Sequence, residues 1–466
     1  MIGRALKASA NKSNLLADPV GNVLYRTTVP TTIGALAIIL YYLVDSFFVS
    51  LLGTSELAAL GFTFPATILF TYFGVGLGIG TSALVARALG GGNRTLACEL
   101  TFASLLAGLL LGLLFMAPAL ATIDQVFPLL GASAESMVLI RDFMQFWYLG
   151  LPFQMMQFAG TAAIRASGNA SLHGKLMVAS AVLNAVLDPL FIFGWGPIPG
   201  MGIGGAALAT TLTFLVTVVL ICYQLCHREQ LLSFRLPRLQ ALLVTWRRLL
   251  SITAPAALAN MITPIATAVL TATLALYGPQ AVAAYGVVSR VESFIMIVVL
   301  GMSMSIPPFI SQNFGARHYD RVLQGLRLSL NFVLVLQLCL YLVVAIAAPW
   351  IAAVFTRDAE VRALITLILR ILPLSYAFQG MVVLSASSFN ALHAPRNALV
   401  VSLLRFFVFY VPFALIGNAI AGIDGLFIGA ALGNLCAGFL IRFWILRYTK
   451  ALLQGQELPP QPTGSA

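Results

Sequence analysis

Long apolar runs alternate with short polar segments along almost the whole chain. Each run is about 20 to 30 residues long, which suits a helix crossing a ~30 Å hydrocarbon core at ~1.5 Å per residue. The strands of an outer-membrane barrel would instead alternate in character over about ten residues, and no such pattern is present. The pattern predicts twelve transmembrane helices, near residues 28–52, 57–87, 96–122, 137–164, 173–195, 202–226, 249–276, 281–312, 322–348, 361–390, 396–417 and 423–446.

Composition strengthens this prediction. Hydrophobic residues make up 60% of the chain and charged residues only 9%. Soluble domains carry roughly 25% charged residues, so this surface is too apolar to face water. We therefore expect an all-α integral membrane protein whose main partner is the lipid bilayer.

Basic residues concentrate in alternate loops, as in the pairs Arg87 with Arg94 and Arg247 with Arg248, whereas the loops between are short or acidic. The positive-inside rule places the basic loops in the cytoplasm, and both termini with them. The net charge of +11 is thus interpreted as an orientation signal, and no nucleic acid partner is expected. We expect a multi-pass protein of the inner or plasma membrane. A cleavable signal peptide is not expected, because the first apolar run is a full span.

The two halves of the chain resemble each other. A shift of 225 positions aligns three pairs of glycines without a gap: Gly53 with Gly278, Gly61 with Gly286, and Gly90 with Gly315. Six helices per copy keep both copies in the same orientation, which predicts two six-helix bundles related by a parallel internal repeat, with substrate bound between them. The predicted parts are a cytoplasmic segment 1–27, an N-lobe 28–226, a cytoplasmic linker 227–248, a C-lobe 249–448 and a disordered tail 449–466.

Two carboxylates lie deep in apolar spans of the first half, Asp45 in span one and Asp188 in span five. Such groups cost roughly 3 kcal/mol or more in a membrane and usually face a cavity where they function. Each lies about seven residues, or ~10 Å, below the outer end of its span. Thr210 reaches the same depth in span six, and Asn184 lies one turn before Asp188 on the same face. These four side chains are predicted to form one polar layer.

This layer suits two kinds of chemistry. Two neighbouring carboxylates in a low dielectric do not easily both stay charged, so the pair is suited to accept a proton. The same oxygens, with Asn184 and Thr210, also suit a hard cation such as Na⁺. The second half lacks such a layer, because Asp45 falls on Leu270 and residues 407–412 contain no acid.

Several further residues are candidates with open roles. Pro30, within span one, is either a bend point or a boundary proline. Four polar residues either hydrogen-bond the carboxylates, line a cavity, face lipid or serve packing: Tyr41, Tyr148, Gln154 and Gln157. In span eight, Arg290 and Glu292 either pair with each other or line the central cavity.

Motifs for other chemistry are missing from the sequence. It has no GxxxxGK[ST] phosphate loop for ATP and no HExxH metal motif. The five cysteines are scattered, and none belongs to a CxxC pair. We expect no enzyme activity, no bound metal other than a transported Na⁺, and no cofactor beyond the coupling ion. A flippase of lipid-linked precursors and a lipid-modifying membrane enzyme remain as rival readings.

The chain resembles the multidrug and toxic compound extrusion (MATE) family over about residues 20–450, and its branch of DNA-damage-inducible F proteins. The motifs that carry the resemblance are Val44-Asp45, Leu52-Gly53, Ala58–Gly61, Asn184–Pro189 and Gly204–Thr210. The resemblance implies export of organic, often cationic amphiphiles, such as drugs or toxins, against H⁺ or Na⁺ by alternating access. It further implies that Asp45 is the main coupling residue, that Asn184, Asp188 and Thr210 form its network, and that Pro30 is the bend. Tyr41 matches a cavity-lining residue of that branch. We expect a monomer.

Overall fold

The computed structural model describes residues 13–233 and 239–455. The start of the predicted N-terminal segment, residues 234–238 of the predicted linker and the predicted tail from residue 456 lie outside the described residues. Within the described ranges the chain is almost entirely helical, which confirms the predicted all-α class. It divides into two compact units, one containing Arg26–Ala257 and the other containing Leu15–Tyr25 and the described residues after Ala257.

The helices of the first part of the chain are α1 (Val20–Ser50), α2 (Thr54–Gly90), α3 (Arg94–Ala121), α4 (Ile123–Leu129), α5 (Ala134–Leu149), α6 (Leu151–Ala166), α7 (Ala170–Phe193), α8 (Gly202–His227) and α9 (Leu239–Ala275). They are followed by α10 (Pro279–Ile295), α11 (Ile297–Gly315), α12 (Tyr319–Phe355), α13 (Ala359–Ile371), α14 (Tyr376–Ala391), α15 (Pro395–Leu403) and α16 (Val411–Leu453). A 3₁₀ turn, Leu372–Ser375, separates α13 from α14, and a π-helical segment, Leu404–Tyr410, joins α15 to α16.

The predicted spans coincide with these helices. Among the described residues, ten helical stretches are long and apolar enough to cross a membrane. The eleventh crossing is the pair α5 and α6, which meet at Gly150. The twelfth arises because the stretch from Pro395 to Leu453 contains non-helical backbone at Ala421 and Gly422, where two crossings join without a loop.

Each unit has an apolar outer surface, and buried polar side chains lie among the apolar residues of its interior. Large side chains such as Leu114 and Phe443 are 64% exposed, whereas Thr81, Asn313 and Gln337 are completely buried. Soluble monomers rarely expose apolar surface as continuous as this. This arrangement is expected where lipid surrounds the protein and polar groups must find partners inside it.

The backbone itself repeats. Three pairs of positions with a left-handed backbone are separated by 225 residues: Gly53 with Gly278, Gly92 with Arg317, and Gly168 with His393. Each ends one helix just before the next begins, so equivalent turns fold alike in both halves. Arg317 and His393 adopt a conformation that L side chains disfavour. The two copies therefore share this turn geometry although the second has no glycine at these two positions.

Two helices begin earlier than their apolar runs suggest. The second unit holds the start of α1 through Arg321, whose Nη2 donates to the carbonyl of Asp18 at 2.7 Å. In the first unit, Trp246 near the start of α9 donates from Nε1 to the carbonyl of Ala103 at 3.0 Å. These turns lie within the predicted segments 1–27 and 227–248, and helix α16 continues into the predicted tail as far as Leu453.

Glycines let the helices of the first unit approach closely. A Cβ on Gly174 of α7 would overlap the carbonyl of Pro30 in α1, and one on Gly205 of α8 would overlap the carbonyl of Phe191 in α7. Small residues at such crossings are how membrane helices pack. Helices α1, α7 and α8 are thereby held together at backbone contact.

Candidate functional site

Helices α1, α7 and α8 bring four predicted residues into the interior of the first unit. Asp45 lies on α1, Asn184 and Asp188 on α7, and Thr210 on α8. All four are buried, Asp45 at 8% exposure and Asp188 at 0%. The two aspartates lie close enough to interact electrostatically.

Two hydrogen bonds organise this site. The Asn184 amide donates from Nδ2 to Oδ1 of Asp188 at 2.9 Å, within one turn of α7. The Tyr41 hydroxyl on α1 donates to Oγ1 of Thr210 on α8 at 2.9 Å. Tyr41 lies one turn before Asp45, so this second bond ties the helix of one aspartate to the helix that packs against the other.

Three oxygen atoms of the site have no hydrogen-bond partner among the described residues. They are Oδ1 of Asp45, Oδ2 of Asp188 and Oδ1 of Asn184. A buried acceptor without a partner costs about 1–3 kcal/mol, more if it is charged. Three such acceptors on neighbouring side chains are suited to receive a proton or a small cation.

A row of hydroxyls continues the site along the contact between α7 and α8. Ser180 lies one turn before Asn184, and the Thr217 hydroxyl donates to its Oγ at 3.2 Å. Thr213, between Thr210 and Thr217, is completely buried and its hydroxyl has no partner among the described residues. Sequence reasoning did not single out these residues, although their spacing of three and four positions places them on the face of the site.

Pro30 lies inside α1, which is helical without interruption from Val20 to Ser50. Since proline has no N–H, the carbonyl of Arg26 lacks its helical partner at this point. The close crossing with Gly174 of α7 lies at the same residue. Helix α1 therefore lacks one of its own hydrogen bonds at the level where it packs closely against α7.

Among the described residues, Tyr148, Gln154 and Gln157 form no hydrogen bond with the carboxylates. Tyr148 is buried in an aromatic cluster, edge-on to Phe70 with ring centroids 5.9 Å apart. Gln154 donates from Nε2 to Oγ1 of Thr71 at 3.4 Å. Oε1 of Gln157 is buried and has no hydrogen-bond partner among the described residues.

In the second half, Arg290 and Glu292 do not bond to each other. Arg290 is exposed and Glu292 is half-buried. The Glu292 carboxylate accepts from Nε2 of Gln379 at 2.8 Å and from the hydroxyl of Tyr376 at 3.4 Å. It also interacts electrostatically with Arg405, which is only 7% exposed.

Sequence reasoning missed Arg405. It is a charged residue within the apolar run 396–417, which by itself marks a functional position in a membrane span. Its Nε donates to Oδ1 of Asn434 at 3.1 Å, and its guanidinium lies 4.5 Å from the centre of the Phe406 ring. The second half therefore contains its own polar cluster. Its acid, Glu292 in span eight, is not at a position equivalent to Asp45 or Asp188 under the 225-residue shift.

Comparison with known proteins agrees with this architecture. The MatE family model matches residues 30–190 and again residues 255–416, more than half of the chain. The two matches start 225 positions apart, the same shift that aligns the glycines and the left-handed backbone positions. Each half is thus one copy of the family's repeating unit.

Similar proteins are membrane transporters. A protein named FAD transporter from Shewanella oneidensis is 38% identical over 92% of this chain and 95% of its own length. The multidrug export protein MepA of Staphylococcus aureus is 25% identical over 94% of this chain and 98% of its own. The crystal structure of the Vibrio cholerae MATE transporter VcmN in the bent form is 34% identical, with a TM-score of 0.88, and the match covers 93% of this chain and 98% of that one. The family model, these relatives and the twelve crossings together establish that this multi-pass membrane protein belongs to the multidrug and toxic compound extrusion (MATE) family of transporters.

Proposed function

We propose that this transporter exports organic, often cationic amphiphiles in exchange for H⁺ by alternating access. Asp45 is the main coupling residue, Asp188, Asn184 and Thr210 form its network, and Pro30 is the point at which α1 bends. Both termini are cytoplasmic, the two halves are the two moving lobes, and the protein acts as a monomer.

The three unpartnered acceptors of Asp45, Asp188 and Asn184 carry this proposal. When a proton binds one carboxylate, that group becomes a hydrogen-bond donor and can satisfy a neighbouring acceptor. When the proton leaves, the two negative charges repel each other across the contact between α1 and α7. Protonation thus changes the force between α1 and α7 about 20 Å along α1 from Pro30, where α1 is weakened and can bend in response.

Sodium is the alternative ion at the same site. The oxygens of Asp45, Asn184, Asp188 and Thr210 form a set of hard ligands, and all four residues are buried. Imposed gradients separate the two ions: a proton gradient without sodium drives an H⁺ exporter and leaves a Na⁺ exporter idle.

FAD is a second candidate substrate. The relative named FAD transporter is 38% identical over nearly the whole chain, a higher identity than that of MepA. FAD is an anionic dinucleotide, so its export would call for a different charge balance in the binding site than a cationic drug does. Competition between ethidium and FAD for transport distinguishes these substrates.

The rival functions are a lipid-precursor flippase and a lipid-modifying enzyme. The acids of the first half are buried between helices, which favours transport over catalysis at a membrane–water interface. Analysis of the lipids in vesicles containing the protein detects a lipid-modifying enzyme, and the accessibility of a labelled lipid in each leaflet detects a flippase.

The deciding experiment uses purified protein in proteoliposomes. Ethidium transport is measured under an imposed proton gradient, with and without sodium, for the wild type and for Asp45→Asn. We expect proton-driven transport by the wild type and a loss of at least tenfold in the variant, with unchanged thermal stability. Full gradient-driven transport by Asp45→Asn would refute the coupling role.

A further inference from the structure

Three helix interruptions of the second unit meet at one polar cluster. Glu292 lies one turn before the break between α10 and α11, Ser375 ends the 3₁₀ turn, and Arg405 lies in the π-helical segment. Mid-helix 3₁₀ and π segments often mark functional sites, and transporters commonly bind ligands at interrupted helices. The backbone of this half departs from regular helix at the places where its buried polar residues converge.

The cluster has a rigid, buried base. Arg405 donates to Asn434, and Nδ2 of Asn434 donates to Oγ of Ser375 at 3.2 Å. Arg405, Asn434, Ser375 and Tyr376 are all at least nine-tenths buried. A separate buried side chain pairs with the break itself, because Gln337 donates from Nε2 to the carbonyl of Ile295 at 3.0 Å.

Glu292 forms the accessible side of the cluster. Its two oxygens each accept one bond, from Gln379 and Tyr376, and an ionised carboxylate has about four acceptor sites. About two acceptor sites therefore remain on a half-buried group. The only charge acting on it from the buried base is that of Arg405, and no direct ion pair joins the two among the described residues.

This arrangement leaves the negative charge available. The nearby guanidinium lowers the cost of keeping a carboxylate ionised inside the membrane, yet it does not occupy the carboxylate as a salt bridge would. Neutral donors fix the orientation of the carboxylate from behind. A binding group held by such supporting contacts is pre-organised for its ligand.

We propose that Glu292 binds the cationic head of organic cation substrates, and that Arg405 is the positioning residue that keeps this carboxylate oriented and charged. This inference rests on the proposed export of amphiphilic cations and assigns their recognition to the second half. Coupling then belongs to the Asp45 site and head-group recognition to the Glu292 site.

The test is equilibrium binding of ethidium, a permanent cation, to the full chain in lipid nanodiscs, measured by fluorescence polarisation. Glu292→Gln keeps the shape and the bond with Gln379 but removes the charge, and we expect ethidium affinity to fall at least tenfold. Glu292→Asp keeps the charge and should retain most of the affinity. The neutral probe N-phenyl-1-naphthylamine should bind both variants as it binds the wild type.

A matched control is Glu360→Gln, which removes an exposed carboxylate from the same half at the start of α13. It should leave ethidium affinity unchanged within twofold. Equal loss in both variants, or unchanged affinity in Glu292→Gln, would overturn the assignment.

The positioning role is tested through Arg405. We expect Arg405→Met to weaken ethidium binding at least fivefold, and Arg405→Lys, which restores the charge, to recover it to within twofold. If Arg405→Met binds ethidium as tightly as the wild type does, Arg405 is not a positioning residue for Glu292.

The failure of this inference is distinct from failure of the proposed function. If Glu292→Gln binds ethidium normally while Asp45→Asn abolishes transport, coupling at Asp45 stands and recognition lies elsewhere. If Glu292→Gln loses binding while Asp45→Asn transports normally, the recognition site stands and the coupling site is wrong.

Discussion

Asn184 donates its amide to one oxygen of Asp188 and leaves the other oxygen of that carboxylate without a partner. The bond fixes the orientation of the acid, and the unpartnered oxygen provides its reactivity. One oxygen of Asp188 is thus held by Asn184, one turn away on α7, while the other is available to bind a proton or a cation.

Replacing Asn184 by alanine should uncouple the transporter. Without its donor, Asp188 loses a charge-assisted bond worth about 1.5–3 kcal/mol, and the ionised state of the site becomes costlier. We expect proton-driven ethidium transport in proteoliposomes to fall at least fivefold. Ethidium binding in nanodiscs should be retained, and a parallel loss of binding would contradict a purely coupling role.

Tyr41→Phe should weaken the connection between α1 and α8. It removes the 2.9 Å hydrogen bond to Thr210, a bond worth about 1 kcal/mol in net stability. A double-mutant cycle with Thr210→Val, read from the free energy of unfolding in nanodiscs, should show coupling of about 0.5–1.5 kcal/mol. Additive effects would mean that the bond contributes nothing.

Gly174→Ala should destabilise the first unit by about 1–3 kcal/mol, because its Cβ would overlap the carbonyl of Pro30 and force α1 and α7 apart. The matched control is Gly61→Ala in α2, where a Cβ would have no neighbour within 4 Å. That variant should be neutral or more stable by up to ~1 kcal/mol, because alanine favours the helix. Thermal unfolding of both proteins in the same detergent measures the difference, and equal behaviour would refute the close crossing.

Arg317→Gly should stabilise the protein by about 1 kcal/mol. Arg317 has a φ of 62°, a conformation that costs an L residue roughly 1–2 kcal/mol and that glycine adopts without this cost. The greater conformational freedom of glycine in the unfolded chain offsets part of this gain. The reciprocal variant at the equivalent turn, Gly92→Ala, should be destabilising. Chemical unfolding of the two variants and the wild type decides whether the paired turns share one conformation.

Cysteine labelling should place the basic loops in the cytoplasm. A cysteine replacing Arg228 should react with a membrane-impermeant maleimide only after permeabilisation, whereas one replacing Glu135 should react in intact cells. Both positions are exposed, and the native cysteines define the background. The opposite labelling pattern would reverse the orientation and move the Asp45 layer to the cytoplasmic side.

The fold was readable from the sequence because lipid imposes a simple rule. A run of about twenty apolar residues has few alternatives to a spanning helix. The layer of Asp45, Asn184, Asp188 and Thr210 followed from depth and helix periodicity alone. The sequence also carried the repeat, since the same shift later reappeared in the backbone of the turns.

The interruptions were not predicted, although Pro373 in the 3₁₀ turn is a local signal for one of them. The break at Met296, the 3₁₀ turn before Tyr376 and the π segment around Arg405 depend on tertiary partners such as Gln337 and Asn434. These partners are distant in the sequence from the interruptions, so the local sequence does not identify them. Near these interruptions, Glu292 bonds to Gln379 and not to Arg290.

Gln154 and Gln379 stand 225 positions apart, and each donates its amide to the span that lies two before its own. In one copy the acceptor is Thr71, and in the other it is Glu292. The two contacts are alike in their donors but differ in their acceptors, because the same shift pairs Thr71 with Met296 and Glu292 with Thr67. The two halves are therefore not interchangeable. An artificial dimer of two first halves would contain the aspartate layer twice and would lack the carboxylate of Glu292.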